Sequence, residues 1–170
     1  MSKNIFAFLM IASILLLVRL IVVRDSKKEK YEYSYDKTSP PIQMYYHIKK
    51  YADEYNIPED YAFALAYQET RYMGPLHTNY NHKKTSPAGA VGPMQVMLST
   101  ARYLNKDKVS LKKLTTDIEY NVMTSMKLLR RLHNKYHNWG LVFGAYNTGR
   151  PMVNEYATNI LNKKYIWIND

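Results

Sequence analysis

The stretch YAFALAYQETRY, Tyr61–Tyr72, predicts a helix that carries one acidic residue, Glu69. Positions three, four and seven residues before Glu69 share its helix face, and these are Ala66, Leu65 and Ala62. The carboxyl group therefore emerges from an apolar stripe, where burial raises the pKa of a carboxyl and suits it to general-acid catalysis. The alternative is a solvated glutamate at a helix end that pairs with a nearby basic residue.

A segment of small residues follows, SPAGAVGPMQVM over Ser86–Met97. Its glycines and alanines let the backbone pass close to a ligand or a neighbouring helix. Gln95 offers both a donor and an acceptor for sugar hydroxyls and N-acetyl groups, and Met97 offers adaptable apolar contact. The structural alternative is a tight turn that leads into a capped helix.

Further along, AYNTG over Ala145–Gly149 offers an aromatic ring and an amide. Tyr146 can stack on a sugar or hydrogen-bond to it, and Asn147 can hold backbone or ligand. The segment also predicts a helix C-terminus, with Gly149 as its cap and Pro151 beyond, whichever role the polar residues have.

The chain after residue 41 predicts helices and almost no strand. Apolar periodicity and helix-terminus signals indicate helices over residues 42–55, 58–72, 94–104, from 116 onward, 141–146 and 152–163, with a long loop over 73–90. Thr116 and Glu119 form a capping box that opens the fourth helix. Its apolar face is Ile118, Val122, Met126, Leu129 and Leu132. We therefore predict a single all-α domain, with at most a short irregular strand in the long loop.

Composition excludes several kinds of site. The chain has 170 residues and no cysteine, which excludes disulfides, thiolate metal sites and a cysteine nucleophile. A formal net charge of +10 predicts attraction to polyanions, which include nucleic acid, phospholipid headgroups and an anionic cell wall. The 17 tyrosines suit both membrane interfaces and the faces of sugar rings.

Two weaker signals lie in KLLRRLHNKYH, Lys127–His137. His133 and His137 are one helical turn apart, but no third ligand is evident, so we predict no metal and no cofactor. The basic run is typical of a solvated helix face, and no nucleic-acid-binding motif accompanies it. No nucleic-acid partner is therefore expected.

The order of these segments resembles the catalytic domain of the soluble lytic transglycosylases, which belong to the goose-type-lysozyme-like proteins. The matching segments are ALAYQETRY, SPAGAVGPMQVMLSTA, the helix from Thr116 to Leu132, AYNTG and YATNIL, in the same order over residues 42–165. The resemblance implies a lysozyme-like fold, either all-α or α+β with minimal strand.

The resemblance also implies a chemistry. Glu69 would be the sole catalytic acid and base. The sugar groove would be lined by Ser86, Gln95, Met97 and Tyr146, with Asn147 beside them. The substrate would be the peptidoglycan glycan strand, cut between N-acetylmuramic acid and N-acetylglucosamine. Glu69 would protonate the glycosidic oxygen and then deprotonate the C6 hydroxyl, whose attack on C1 yields 1,6-anhydromuramic acid without water.

One absence from the sequence agrees with this mechanism, and some positions depart from the family. A conventional glycosidase needs a second carboxylate, yet the next acidic residue after Glu69 is Asp107. The interval between Glu69 and Ser86 is longer than the compact family spacing. Met152 stands where many members have an acidic residue, and the sequence leaves open whether Glu155 compensates.

The N-terminal part predicts a transmembrane anchor over residues 1–24 and a linker over 25–41, ahead of a catalytic domain over 42–170. Ile5–Val23 is apolar except for one serine and one arginine, which suits one bilayer crossing. No small-residue cleavage site follows, which favours an uncleaved anchor over a signal peptide. Basic residues after the span favour a cytoplasmic domain, and this conflicts with a wall-facing enzyme unless the membrane is a virion's or insertion is unusual.

Two classes of function stay open at this level. The first is a membrane-anchored peptidoglycan lytic transglycosylase that faces the cell wall, with a hydrolytic muramidase as its nearest chemical variant. The second is a catalytically weak wall-binding or assembly component of an envelope machine or a virion. The expected partners are glycan strands, the membrane through the N-terminal helix, and envelope-complex or virion proteins.

Overall fold

The computed structural model describes residues 39–106 and 108–163. The chain divides between Lys37 and Thr38, and every described residue belongs to the second unit. The predicted transmembrane segment lies outside the described residues, as does most of the predicted linker. None of the helices in the described ranges is both long enough and apolar enough to cross a membrane.

Helices account for most of the described residues. They are α1 (Pro40–Glu54), α2 (Glu59–Thr70), α3 (Leu98–Asn105), α4 (Leu111–Thr116), α5 (Ile118–Tyr136), α6 (Trp139–Thr148) and α7 (Glu155–Leu161). In place of strands, residues 39–106 and 108–163 contain isolated bridges, which pair Val91 with Thr85 and with Val96. The predicted all-α class is confirmed.

The longest helix of the described residues, α5, packs against α1, α3, α4 and α6. Its predicted apolar face is confirmed, because four of the five residues are buried and the fifth is partly buried against the core. These residues are Ile118, Val122, Met126, Leu129 and, at the edge, Leu132. Burial of this apolar stripe stabilises the packing of α5 against its neighbours.

The start of α5 differs from the predicted capping box. Asp117 is the N-cap, and its Oδ1 accepts a hydrogen bond from the Tyr120 backbone N–H at 2.9 Å. Thr116 instead ends α4, where its hydroxyl donates to a carbonyl of its own helix. The predicted cap was wrong because aspartate is a better N-cap than threonine and stands one residue later.

Glu119, the other half of the predicted box, faces α1. Its Oε1 accepts hydrogen bonds from Lys50 Nζ and Tyr51 Oη, each at 2.7 Å, and His47 Nδ1 lies 3.9 Å away. A charge-assisted bond to an ammonium is stronger than a bond back to the helix's own N–H. Glu119 therefore joins α1 to α5 instead of capping α5.

Helix α2 ends at Thr70, two residues before its predicted end. Arg71 takes a left-handed conformation, with φ of 61°, which stops the helix. The reversal carries Tyr72 into the core, where it is fully buried and donates its hydroxyl to the Pro41 carbonyl at 2.7 Å. As a result, Glu69 lies in the last turn of α2, beside the reversal.

Other helix ends also differ from the sequence pattern. Helix α3 begins at Leu98 and not at Met94, because Gln95 has φ of 49° and the Val91–Val96 bridge folds this stretch into a turn. Helix α1 begins at Pro40, inside the predicted linker, since proline suits the first helical turn. Helix α4 was not predicted.

Candidate active site

Glu69 is held at the end of α2 by the apolar stripe that the sequence predicted. Ala62, Leu65 and Ala66 are essentially inaccessible to solvent, while Glu69 itself is partly buried. Burial raises the pKa of the Glu69 carboxyl from 4.5 to about 7, although a hydrogen bond from Tyr156 and the charge of Lys84 act in the opposite direction. The group therefore exchanges a proton near neutral pH.

Tyr156 is the direct partner of this carboxyl. Its hydroxyl donates to Glu69 Oε1 across the α2–α7 contact. Asn154 caps α7 by accepting from the Ala157 N–H at 2.9 Å, which sets Tyr156 in the first turn of that helix. Burial and the nearby Glu69 raise the pKa of Tyr156 well above its ordinary value, so the phenol stays protonated and remains a donor.

Tyr146 of α6 also lies near the Glu69 carboxyl. Its hydroxyl donates to the Met94 carbonyl at 2.7 Å and pairs with Ser125 Oγ at 2.9 Å. Because a phenol has one hydrogen, Ser125 is then the donor to Tyr146. Burial and the proximity of Glu69 raise the pKa of Tyr146 above its ordinary value. Tyr146 therefore joins α6, α5 and the small-residue segment beside Glu69.

Asn121 of α5 forms hydrogen bonds with the backbone of the small-residue segment. Asn121 is fully buried; its Oδ1 accepts from the Met94 N–H at 2.9 Å, and its Nδ2 donates to the carbonyls of Val91 and Leu114 at 3.0 and 2.9 Å. Gly92 permits this approach, since a Cβ at that position would lie 2.3 Å from Asn121 Nδ2. The glycine is needed for contact with this amide.

A hydroxyl pair joins the same segment to the end of α2. Thr70 Oγ1 donates to the Pro93 carbonyl at 2.8 Å and lies 2.8 Å from Tyr80 Oη, and all of these atoms are buried. Because Thr70 follows Glu69 directly, this contact fixes the segment relative to the carboxyl. Tyr80, from the long loop, is buried at this contact with Thr70, and burial raises the pKa of its hydroxyl above the ordinary value.

Gln95 and Ser86 are both used within the segment. Gln95 Nε2 donates to the carbonyls of Lys84 and Gly92, at 2.9 and 2.8 Å. Ser86 Oγ accepts from the Ala90 N–H at 3.0 Å, closing the turn that contains Gly89. These two predicted sugar contacts therefore shape the loop. In both of these hydrogen bonds Gln95 uses its amide nitrogen and not its amide oxygen.

The segment after α6 folds back closely over that helix. A Cβ at Gly144 would lie 1.6 Å from the Met152 carbonyl oxygen, so only glycine allows this packing. Asn147 is exposed, and its Oδ1 accepts from Asn154 Nδ2 at 3.4 Å. The short connection between α6 and α7 thus places Asn147 beside the N-cap of the helix that carries Tyr156.

The chain matches a family model, the transglycosylase SLT domain, over residues 46–167. The protein belongs to this family. The 70 kDa soluble lytic transglycosylase SLT70 from Escherichia coli is a similar solved structure, 29% identical with a TM-score of 0.52, over 68% of this chain and 18% of that one. A complex of the 70-kDa soluble lytic transglycosylase with bulgecin A is 26% identical with a TM-score of 0.52, over 79% and 20%.

An inactive mutant of the lytic transglycosylase Slt from Pseudomonas aeruginosa shares the fold, with 22% identity and a TM-score of 0.54, over 75% of this chain and 20% of that one. This chain therefore spans only about a fifth of the length of these proteins.

In this SLT domain the predicted site residues fall into two groups. Glu69 and Tyr146 lie close enough for the charge of Glu69 to raise the pKa of the Tyr146 hydroxyl. Gln95 and Ser86 lie in the adjoining loop, and Met97 stands exposed at the N-cap of α3. The direct partner of Glu69 was missed, although YATNIL, which contains it, was among the matching segments.

Asn121 was missed for a different reason. A single asparagine inside an amphipathic helix gives no sequence signal of what it contacts, and only the packing of α5 under the small-residue segment reveals its three hydrogen bonds. Glu155 is exposed in the first turn of α7 and is not among the groups that shift the pKa of Glu69.

The two histidines considered as metal ligands take structural positions in the SLT domain. The His133 ring stacks on Trp139 with centroids 4.4 Å apart, and His137 has φ of 50° as the C-cap of α5. Within residues 39–106 and 108–163, no three His, Cys, Asp or Glu side chains are grouped so that they could hold a metal ion.

Proposed function

We propose that the protein is a peptidoglycan lytic transglycosylase that cleaves the β-1,4 bond between N-acetylmuramic acid and N-acetylglucosamine and forms 1,6-anhydro-N-acetylmuramic acid. The observation that carries this proposal is the environment of Glu69, a partly buried carboxyl with a pKa of about 7 that accepts a hydrogen bond from Tyr156. Family membership supplies the reaction class.

In the first half of the reaction, Glu69 is the general acid. A carboxyl with a pKa near the working pH holds a proton in a large fraction of molecules and gives it up readily. That proton goes to the glycosidic oxygen as the C1–O4 bond breaks, so N-acetylglucosamine leaves as an alcohol. Because Tyr156 holds Oε1, we assign the other carboxyl oxygen to proton transfer.

In the second half, the same carboxylate is the base. It removes the proton from the C6 hydroxyl of the muramic acid, whose oxygen bonds to C1 and closes the anhydro ring. The proton returned to Glu69 restores the starting state, and no water is consumed. Apart from burial, the groups that shift the pKa of Glu69 are Tyr156 and Lys84, neither of which is a carboxylate. This supports one-carboxylate chemistry over the two-carboxylate mechanisms.

We assign the glycan to the groove beside the small-residue segment. Gln95 would present its amide oxygen to a sugar N–H or O–H, and Met97, with 40% of its surface exposed, would contact a sugar face. Ser86, Tyr146 and Asn147 would complete the groove, chiefly through the backbone and rings that they hold in place.

Digestion of purified sacculi tests the reaction. Anhydro ends among the released muropeptides would support the proposal, reducing ends would identify a hydrolytic muramidase, and intact sacculi that retain the protein would identify a wall-binding component. Glu69→Gln is the matched control, since it keeps the shape of the side chain and removes its titration. If Glu69→Gln kept full cleavage, the site assignment would be wrong.

The solved complex of a relative with bulgecin A supplies a second test. We propose that bulgecin A binds this site and slows the release of muropeptides. A rise in melting temperature with added bulgecin A, lost when Gln95 or Met97 is replaced by alanine, would place the ligand in the groove. An unchanged melting temperature for the parent protein would argue against the groove assignment.

For location, we propose a membrane-anchored protein whose catalytic domain faces the cell wall, at the bacterial inner membrane or in a virion membrane. The apolar stretch over residues 5–23 supports the anchor, and a peptidoglycan substrate supports the wall-facing side. The basic residues after the stretch favour the opposite orientation. Digestion of the domain by protease added to intact spheroplasts would support the wall-facing side, and protection would overturn it.

A further inference from the structure

Lys84 lies beside Glu69 but neither gives nor takes a proton in the proposed reaction. Its Nζ donates a hydrogen bond to the backbone carbonyl oxygen of Glu69 at 3.2 Å, while the side chain stays exposed to solvent. None of the ion pairs within residues 39–106 and 108–163 involves Lys84. The Lys84 ammonium therefore lies at the end of α2 without forming an ion pair in the described parts of the chain.

The backbone of Lys84 is held independently of its side chain. Its carbonyl oxygen accepts hydrogen bonds from Gln95 Nε2 and from the Gly92 N–H, both at 2.9 Å. These bonds fasten the end of the long loop to the small-residue segment and do not depend on which side chain position 84 carries. The ammonium can therefore be removed without removing the contacts that place the loop.

The end of a helix is an unfavourable place for a carboxylate. The last carbonyl groups of α2 carry partial negative charge, and Glu69 lies among them in the final turn. An ammonium that bonds one of these carbonyls offsets their charge and attracts the carboxylate directly. The ionised form of Glu69 gains from both effects.

We propose that Lys84 is a positioning residue of the reaction, whose ammonium at the end of α2 favours the carboxylate form of Glu69 and so supports the base half of the cycle. The inference rests on the proposed function for its catalytic meaning, whereas the electrostatic effect itself does not. The other titratable groups that face Glu69 are Tyr156 from α7 and Tyr146 from α6. Burial keeps the pKa of each phenol above its ordinary value, so neither ionises near neutral pH.

The matched variants are Lys84→Met, which keeps the length of the side chain, Lys84→Arg, which keeps the charge, and Lys83→Met, which removes a neighbouring exposed charge. The primary measurement is the NMR titration of the Glu69 side-chain carboxyl carbon in the full chain in detergent, assigned with Glu69→Gln. We expect Lys84→Met to move the midpoint to higher pH and the other two variants to leave it unchanged.

The second measurement is the pH profile of muropeptide release. A higher midpoint for Glu69 keeps this acid protonated further into the alkaline range. On the alkaline limb, Lys84→Met should therefore retain a fraction of its maximal rate about two- to fivefold larger than the parent does. The rate of Lys84→Met on the acidic plateau should lie within about twofold of the parent rate. Lys84→Arg should restore the parent profile. If Lys84→Met only destabilised the loop, the rate would fall at every pH and the midpoint of the alkaline limb would not move.

The two proposals fail in different ways. If the parent protein leaves sacculi intact, the proposed function is wrong, and the NMR titration still decides whether Lys84 acts on Glu69. If the parent releases anhydromuropeptides but Lys84→Met titrates like the parent, the inference on Lys84 is overturned. The same conclusion follows if Lys83→Met shifts the midpoint as much as Lys84→Met, since the effect would then be one of general surface charge.

Discussion

Two glutamates in this domain each accept a hydrogen bond from a tyrosine hydroxyl, yet the pKa of one lies above its ordinary value and the pKa of the other lies below it. Glu69, with Tyr156, has its pKa raised to about 7 by burial. Glu119, with Tyr51, has a lowered pKa, because the bonds from Lys50 and Tyr51 and the charges of Lys50 and His47 outweigh its desolvation.

The comparison shows what separates a carboxyl with a raised pKa from one with a lowered pKa in the same fold. A tyrosine partner alone does not compensate a buried charge, whereas a bonded ammonium does. Glu119 lies at the contact of α5 with α1, with 40% of its side chain exposed, and Lys50 of α1 bonds to its carboxylate. Glu69 shares its helix face with buried alanine and leucine, and the Lys84 ammonium bonds its backbone carbonyl. Four experiments test this contrast between the two glutamates.

The largest expected effect is on catalysis. Glu69→Gln should lower the rate of anhydromuropeptide release by about 10³-fold, in the range for loss of a general acid–base, because the amide can neither give nor take the proton. Glu119→Gln, the matched change at the structural glutamate, should stay within about threefold of the parent. Muropeptide chromatography measures both rates. Equal losses in the two variants would show that folding and not chemistry had been affected.

The next effect is a stability difference that changes with pH. The folded-state pKa of Glu69 lies above the ordinary value of 4.5, so the stability it contributes is present below pH 4.5 and lost as pH rises through about 7. At pH 8, Glu69→Gln should therefore be more stable than the parent by about 2 to 3 kcal/mol, allowing for partial exposure.

Urea unfolding of the two proteins at pH 5 and pH 8 measures this difference. The stabilisation of Glu69→Gln should shrink at pH 5, where the parent carboxyl is protonated in the folded state. A constant stabilisation at both pH values would mean that ionisation of Glu69 is not the cause.

A smaller effect concerns the tyrosine partners. Tyr156→Phe removes the hydrogen bond that orients Glu69 and favours its carboxylate. We expect about a tenfold loss of rate, as for one removed hydrogen bond to a charged group, together with a rise in the pKa of Glu69. Tyr51→Phe is the matched change at the other glutamate. Equal losses of activity in Tyr156→Phe and Tyr51→Phe would contradict the proposed difference between Glu69 and Glu119.

The smallest effect is the stability of the structural cluster. Glu119→Gln should lower the free energy of unfolding by about 1 kcal/mol at pH 7, because the ionic bond to Lys50 is partly exposed. The pKa of Glu119 is lowered, so this contribution is present above its ordinary pKa and disappears as pH falls through the lowered one. Urea unfolding from pH 7 to pH 3 would show the difference vanish, and a difference that grew toward acid would contradict the assignment.

Much of the fold could be predicted from local patterns. The face of α5 was recognised because apolar residues recur at helical spacing, and the end of α6 because glycine favours the left-handed C-cap. Helix ends governed by competing partners were predicted less well. Thr116 and Glu119 fit a capping box, but Asp117 and the cations of α1 offered better partners, and such competition is visible only when the helices meet.

The sequence is enough to predict that Glu69 emerges from an apolar helix face, because the order of residues along one helix fixes which of them share a side. How strongly that carboxyl holds its proton depends on contacts that form only when the helices pack together. Tyr156 is 87 residues away along the chain, and Asn121 lies 30 residues beyond Val91. Desolvation, hydrogen bonding and nearby charge depend on distance in space, so the chemistry of Glu69 exists only after α2, α7 and the small-residue segment have packed together.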